Sequence, residues 1–259
     1  TLFVAGQVIG FLILLLMAKG ASVGWGKEWA LGTHKIVKEN CDTSSIDKLK
    51  CTWKYGKTSE TIYLVGDSMS WAIGDAILKY ANEIGVNAIS ITRNACSITL
   101  VEYKDDSDCG LWRTKAISDI RANKPKLVII SNSVGYTIKE TRGVGELVRL
   151  LEKSGIKAVV ILPPPGGDSY SGRRSLLMSL GPKNRWSEQK DLDFASIYNL
   201  NKSYFYDPSD TLCKSKTCLI SKDGHEIYTY GAHLSLFGEY YLYDSLSLFL
   251  NQKIKLKDR

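Results

Sequence analysis

Thr61-Ile62-Tyr63-Leu64-Val65-Gly66-Asp67-Ser68-Met69-Ser70 is the stretch whose reading decides the fold. Its first half is a short apolar, β-branched run that predicts a strand over 61–65 ending at Gly66. Helical spacing follows at once, with Trp71, Ile73, Ile77, Leu78 and Ala81 on one face of a helix predicted over 70–84. The same alternation continues outward. Strands are predicted over 86–92, 126–131, 157–162 and 203–206, and helices over 111–122, 139–153, 191–200 and 236–251. Pro125 stops one helix, Gly155 punctuates the next, and Pro163-Pro164-Pro165 break the strand before them. Near-continuous apolar strands separated by helices require a parallel sheet covered on both faces. The expected fold class is therefore α/β, a three-layer α/β/α sandwich with a mainly parallel sheet. Such folds place their sites at the carboxyl ends of the strands. Residues 166–190, rich in Gly, Ser and Arg, read as one long loop, and loops that long are as a rule functional or mobile.

The composition is that of a globular chain. With 259 residues, 44% hydrophobic and 24% charged, it has enough apolar side chains for a core, which excludes a disordered or collagen-like chain. The length suits one large domain or two small ones. The formal charge of +7 permits an acidic partner, such as a charged glycan or a lipid head group, without requiring one. Residues 2–18 are apolar except for Gln7. At about 1.5 Å per residue such a run nearly spans a hydrocarbon core of roughly 30 Å. It has neither an initiator Met nor a basic segment ahead of it, so it reads as the end of a transmembrane helix. A signal-peptide remnant and a buried soluble helix are the alternatives. Trp25 and Trp29 suit a membrane–water boundary and equally an ordinary surface. The expected organisation is a transmembrane end over 1–20, a linker or extension over 21–57, and the α/β domain over 58–259.

The six cysteines contain no CxxC pair, which argues against a zinc ribbon or a thioredoxin-type site. They fall into three local pairs, Cys41 with Cys51, Cys96 with Cys109 and Cys213 with Cys218, in stretches that read as loops. Sequential pairing is the simplest of the many connectivities open to them. Disulfides persist in oxidising compartments, so the domain is expected to face the periplasm or the exterior. Six buried thiols in a cytosolic protein are the alternative.

Ser68 follows the first strand and opens the helix after it. A serine there stands at the carboxyl edge of the sheet, among free backbone N–H groups at a helix N-terminus. Such donors can stabilise an oxyanion, which makes Ser68 the candidate nucleophile. The plain alternative is that Asp67, Ser68 and Ser70 only cap the helix. A serine nucleophile needs a base. Of the three histidines, His34 precedes the first strand, His225 lies in a polar turn, and His233 lies just before the last helix. His233 is placed to reach the edge that carries Ser68, with His225, or no catalytic histidine at all, the alternatives. The chain has no GxSxG elbow, Walker A loop, GxGxxG or HExxH, so nucleotide and metalloprotease chemistry are not expected. Nor is any metal site or nucleic-acid partner.

Gly66-Asp67-Ser68 after the first strand and His233-Leu234-Ser235 before the last helix resemble the SGNH (GDSL-type) hydrolases, an SGNH-hydrolase/flavodoxin-like sandwich. Asn94-Ala95-Cys96, the segment from Asp207-Pro208 to Cys213 and Cys218, and the apolar start narrow the resemblance. They are similar to the SGNH domain fused to membrane acyltransferase-3 proteins, the polysaccharide and O-antigen O-acetylases. The resemblance covers roughly residues 58–250. It implies that Ser68 forms an acyl-enzyme and that His233 acts as base and then acid. It also implies oxyanion donors from the Ser68 N–H, the backbone near Asn94 and Ala95, and Asn132. Two departures stand out. Ala95 or Asn94 occupies the place of a family glycine, and Tyr230 occupies the place of the family Asp three residues before the histidine. Asp223, Glu226 or a backbone carbonyl would then orient His233, or the pair would act as a Ser–His dyad.

By the same resemblance no cofactor is held. The acyl group comes from a membrane acyltransferase-3 domain upstream in the same chain, ultimately from acetyl-CoA. The acceptor is a polysaccharide hydroxyl, and lipopolysaccharide O-antigen is the expected kind. The soluble domain sits in the bacterial periplasm, tied to the inner-membrane bilayer by the N-terminal helix. The competing readings are a secreted carbohydrate acetylesterase and a glycan-binding module with a degraded site. Arg173, Arg174, Lys183 and Arg185 would face an acidic glycan or simply solvent.

Overall fold

The computed structural model describes residues 34–41, 50–101, 107–133, 138–165, 185–188, 194–215, 217–229 and 232–255. The apolar run over 1–20, Trp25, Trp29, Arg173, Arg174, Lys183 and Tyr230 lie outside them. Among the described residues no helix is long and apolar enough to cross a membrane.

In chain order the elements begin with α1 (Lys35–Lys38), β1 (Cys51–Trp53), β2 (Thr61–Gly66), α2 (Ser68–Trp71), α3 (Gly74–Glu83) and β3 (Asn87–Thr92). There follow α4 (Ser107–Asn123), β4 (Leu127–Ser131), α5 (Ile138–Lys153), β5 (Ala158–Ile161), β6 (Arg185–Glu188) and α6 (Phe194–Tyr198). The chain ends through β7 (Phe205–Tyr206), α7 (Ser209–Leu212), β8 (Cys213–Lys214), β9 (Thr217–Lys222), β10 (His225–Glu226) and α8 (Leu236–Lys255). One sheet has the order β1-β3-β2-β4-β5-β7, parallel except for the antiparallel edge strand β1. From β2 the chain moves first to β3 on one side and then to β4 on the other. That reversal makes the carboxyl ends of β2 and β4 the topological switch point, where open α/β sheets carry their sites.

Alternate residues of each central strand serve opposite layers, as the period of two requires. Ile62, Leu64, Leu127 and Ile129 pack with Ile77 and Ala81 of α3 and with Leu242, Leu246 and Leu250 of α8. Tyr63, Val65, Val128 and Ile130 face Trp112, Ala116 and Ile120 of α4 and Leu147 and Leu151 of α5. This is the expected three-layer sandwich. The four predicted central strands are found to within one residue at each end.

Elsewhere the structure departs from the sequence reading. The helix predicted over 70–84 is two helices, α2 and α3, separated at Ala72 and Ile73. Residues 185–188, read as part of a loop, form β6, which pairs with β9 in a second, antiparallel sheet completed by β8 and β10. β1 joins the main sheet from the stretch read as an extension. Both strands are held by distant partners, which local pattern does not reveal. The helix predicted over 191–200 is described only as α6, and the strand predicted over 203–206 is a 3₁₀ turn followed by the two residues of β7. Cys41–Cys51, Cys96–Cys109 and Cys213–Cys218 are disulfides. Cys51 opens β1, Cys109 lies in α4 and the last pair bridges β8 to β9, so these segments are more regular than the loops predicted.

His34 pins the N-terminal segment to this body. The residue is 3% exposed. Nε2 lies 3.1 Å from the Leu234 carbonyl. Nδ1 pairs with the Glu239 carboxylate and lies 3.4 Å from that of Asp75. Both nitrogens face oxygens that only accept, which selects the doubly protonated ring. Burial opposes that charge, but the Asp75 and Glu239 carboxylates outweigh it and hold the His34 pKa up at about 9. Burial of Glu239 raises its carboxyl to about 7, against the pull of His34.

Both shifts leave the native state holding more protons than the unfolded chain. The His34 contribution to stability is complete below the unfolded value of 6.5 and is lost as pH rises through about 9. The Glu239 contribution is complete below 4.5 and is lost as pH rises through about 7. Urea unfolding across this range should show stability falling with pH, with His34→Gln flattening the limb above pH 6.5; an unchanged limb would contradict the pairing. Gly66 has φ +142°, and a Cβ there would stand 1.9 Å from the Ser131 carbonyl oxygen. Gly66→Ala should cost about 2–4 kcal/mol. At Gly85, with φ +68° and nothing within 4 Å of a Cβ, alanine should cost only about 1–2 kcal/mol. Equal losses in urea would show that the strands are not pressed together at Gly66.

Candidate active site

β2 and β4 end side by side, with Gly66 opposite Ser131. Asp67 follows Gly66 and is fully buried. As N-cap of α2 its Oδ1 accepts from the Met69 N–H at 2.8 Å, while Oδ2 accepts from the Ser133 N–H at 2.8 Å. Burial raises its carboxyl to about 6, against these backbone donors, which favour the ionised form. Asp67 is thus a strut between the loop after β2 and the loop after β4. Ser70 is also fully buried, its hydroxyl 2.8 Å from the Val65 carbonyl and 2.7 Å from that of Ser131. Of the capping roles weighed from the sequence, the cap of α2 belongs to Asp67, Ser70 instead bonds the strand-end carbonyls, and Ser68, between them, stays partly exposed.

His233 reaches Ser68 across 165 residues of sequence, with Nε2 at 2.8 Å from Oγ. Its segment is fixed from both sides. The His233 carbonyl accepts from the Thr229 N–H at 2.8 Å, and Leu234 bridges Tyr228. Ser235 caps α8, accepting from the Gly238 N–H at 3.0 Å and donating to the Glu226 carbonyl at 2.5 Å. The His-Leu-Ser triplet therefore combines one group set against Ser68, one buried anchor and one cap. His225 lies instead on β10, stacked on Phe237 at 4.8 Å. Asp223 sits in the exposed β9–β10 turn at φ +51°, and the Glu226 backbone lies against Ser235.

Ala95 lies in an exposed turn closed by the Cys96 N–H on the Arg93 carbonyl at 3.1 Å and by the Cys96–Cys109 disulfide. Its φ of +55° is left-handed, the backbone a glycine takes freely. The turn thus keeps a glycine-type conformation although the side chain is alanine. The Arg93 N–H donates to the Gly66 carbonyl at 3.0 Å, which sets this turn beside the end of β2. Asn132 is 2% exposed, and its amide is pinned to the Ile98 peptide. Oδ1 accepts from the Ile98 N–H at 3.2 Å, and Nδ2 donates to the Ile98 carbonyl at 3.1 Å. One of its two amide hydrogens is committed there.

Trp71 is the residue that the sequence reading assigned only to a hydrophobic face. Its ring stacks on His233, with centroids 5.2 Å apart and planes at 25°. Its Nε1 donates to Asn94 Oδ1 at 2.9 Å. Trp71 stands three residues after Ser68, the spacing of a shared helix face, and that was the available signal. Among the described residues, His34, Asp75 and Glu239 bring three potential metal-ligand atoms within 4.8 Å of one another. Lys35 and Ala76 N–H groups also donate to the two carboxylates, while His34 Nδ1 and Glu239 Oε1 meet as a buried charge pair.

A search of curated proteins finds no significant match. Among solved structures the chain is similar to the periplasmic domain of a lipopolysaccharide acetyltransferase from Salmonella ser. Paratyphi A. The TM-score is 0.61 at 15% identity, covering 87% of this chain and 94% of that one. At that identity the likeness speaks to the fold. The model of the SGNH domain described as fused to AT3 domains matches residues 38–246. The chain therefore belongs to the SGNH-domain family found fused to AT3 domains.

Proposed function

We propose that this domain is the acyl-transfer module of a membrane O-acyltransferase, carrying an acyl group, expected to be acetyl, to a sugar hydroxyl of a cell-surface polysaccharide. The observation that carries the reading is the 2.8 Å contact between Ser68 Oγ and His233 Nε2 at the switch point of the sheet. The family's fusion to AT3 domains supports a donor in the same chain. The similar structure described as a lipopolysaccharide acetyltransferase periplasmic domain supports lipopolysaccharide as the kind of acceptor, with O-antigen the part of it expected in this reading. The three disulfides support a periplasmic position.

The chemistry is two acyl transfers. The neutral His233 ring accepts the Ser68 proton at Nε2 as Oγ adds to the donor's acyl carbon. The oxyanion forms at the N-terminus of α2, with the Ser68 N–H as its first donor. The Ala95 N–H and the second Asn132 amide hydrogen are the further donors in this reading. Collapse expels the donor's leaving group, which takes the proton from His233. The acyl-Ser68 ester then meets a sugar hydroxyl. His233 takes that hydroxyl's proton, the sugar oxygen adds, and Ser68 leaves with the proton returned to it. Water in place of the sugar would make the same site an esterase. A tether to the donor domain favours transfer by raising the local concentration of one reactant near the other.

Ser68→Ala or His233→Ala in the full-length protein should reduce polysaccharide acetylation by roughly 10³-fold or more, with circular dichroism showing both variants folded. Acetylation that persists in Ser68→Ala would remove this serine from the mechanism. Rapid acetate release from an acetylated glycan by the soluble domain alone would favour the esterase.

A further inference from the structure

An imidazole that serves as base must be held in one orientation, and here Tyr230 occupies the position from which the family's carboxylate does this. We propose that His34 is a positioning residue for His233, acting through two tethers, the Leu234 carbonyl and the Trp71 ring. The proposal rests on the reading of Ser68 and His233 as nucleophile and base.

The first tether is a hydrogen bond. His34 Nε2 donates at 3.1 Å to the carbonyl of Leu234, the residue that follows His233. The second is a pair of ring contacts. The His34 ring lies 5.1 Å from that of Trp71 at 60°, and Trp71 in turn stacks on His233 at 5.2 Å. Trp71 is kept from rotating by its indole N–H bond to Asn94. Swinging His233 away from Ser68 would therefore have to displace a ring lodged against His34.

His34 is itself held on both ring nitrogens. Asp75 on α3 and Glu239 on α8 grip Nδ1, and each carboxylate also takes a backbone N–H, from Lys35 at 2.9 Å and Ala76 at 2.8 Å. Glu239 is fully buried. The reactive ring is thus braced against two core helices by a residue nearly 200 positions away in sequence. A residue that served only stability would have no reason to touch both the carbonyl beside the base and the ring stacked on it.

The test measures the rate at which a serine-reactive fluorophosphonate labels Ser68 in the full chain across a pH series, with thermal melting recorded alongside. His34→Gln keeps one donor but loses the other. Trp71→Leu removes the stack and leaves the buried ion-pair cluster in place, and Trp71→Phe retains a ring. The expected result, measured well below each variant's melting point, is a labelling rate at least roughly tenfold lower for His34→Gln and Trp71→Leu. The pH midpoint of labelling should shift in both, and Trp71→Phe should recover part of the rate. A His34→Gln protein that melts earlier but labels at the wild-type rate and midpoint overturns the proposal and leaves the Ser68–His233 reading intact. If His34→Gln does not fold, wild-type labelling by Trp71→Leu overturns it instead. A wild-type chain that is not labelled at Ser68 overturns the site reading, and this proposal with it.

Discussion

The close approach of two strand ends governs the rest of the molecule. Gly66 and Ser131 stand opposite each other with no room for a Cβ between them, and the buried Asp67 carboxylate then bonds the backbone on both sides of the gap. An ionised carboxylate with no solvent contact is costly unless donors surround it. Here its two oxygens meet two backbone N–H groups, one from each loop. That pairing fixes where α2 begins and where the chain leaves β4, and so places Ser68 and Asn132 at one edge. The same two residues explain why the nucleophile candidate is flanked by groups that do no chemistry: Gly66 provides space and Asp67 provides the strut.

Around that fixed edge the other parts arrive from far along the chain. The turn bearing Ala95 is tied to Gly66 by the Arg93 N–H and to α4 by the Cys96–Cys109 disulfide. The segment bearing His233 is anchored by Leu234, capped by Ser235 and flanked by Trp71. Beneath it the His34 cluster joins α1, α3 and α8. The Trp71–His233 and His34–Leu234 contacts join residues 162 and 200 positions apart, so the Ser68–His233 contact depends on distant parts of the domain being folded together.

This explains what could be read from the sequence. The central strands were legible because burial on both faces writes a continuous apolar run, and Ser68 and His233 were legible from their places after the first strand and before the last helix. β6 and β1 were not, since short polar strands owe their existence to distant partners. Among the site residues, Ala95 was marked by a missing glycine whose left-handed backbone the turn nevertheless keeps. Trp71 passed for an ordinary core residue, because nothing local distinguishes an indole that packs in a core from one that stacks on the His233 ring. His34 was noted only as lying before the first strand. Its two carboxylate partners are 41 and 205 positions away, too distant for any motif to join them.

The central claim is that Ser68 carries the acyl group with His233 as its base. The most direct measurement is to treat the full chain with an activated acetyl ester in the absence of a sugar acceptor, quench in acid, and map the acetyl group by peptide mass spectrometry. The account predicts acetyl on Ser68 in the wild-type chain, its loss in His233→Ala, and its discharge when an acceptor polysaccharide is added. No acetyl at Ser68, or labelling there that is unchanged without His233, would contradict it.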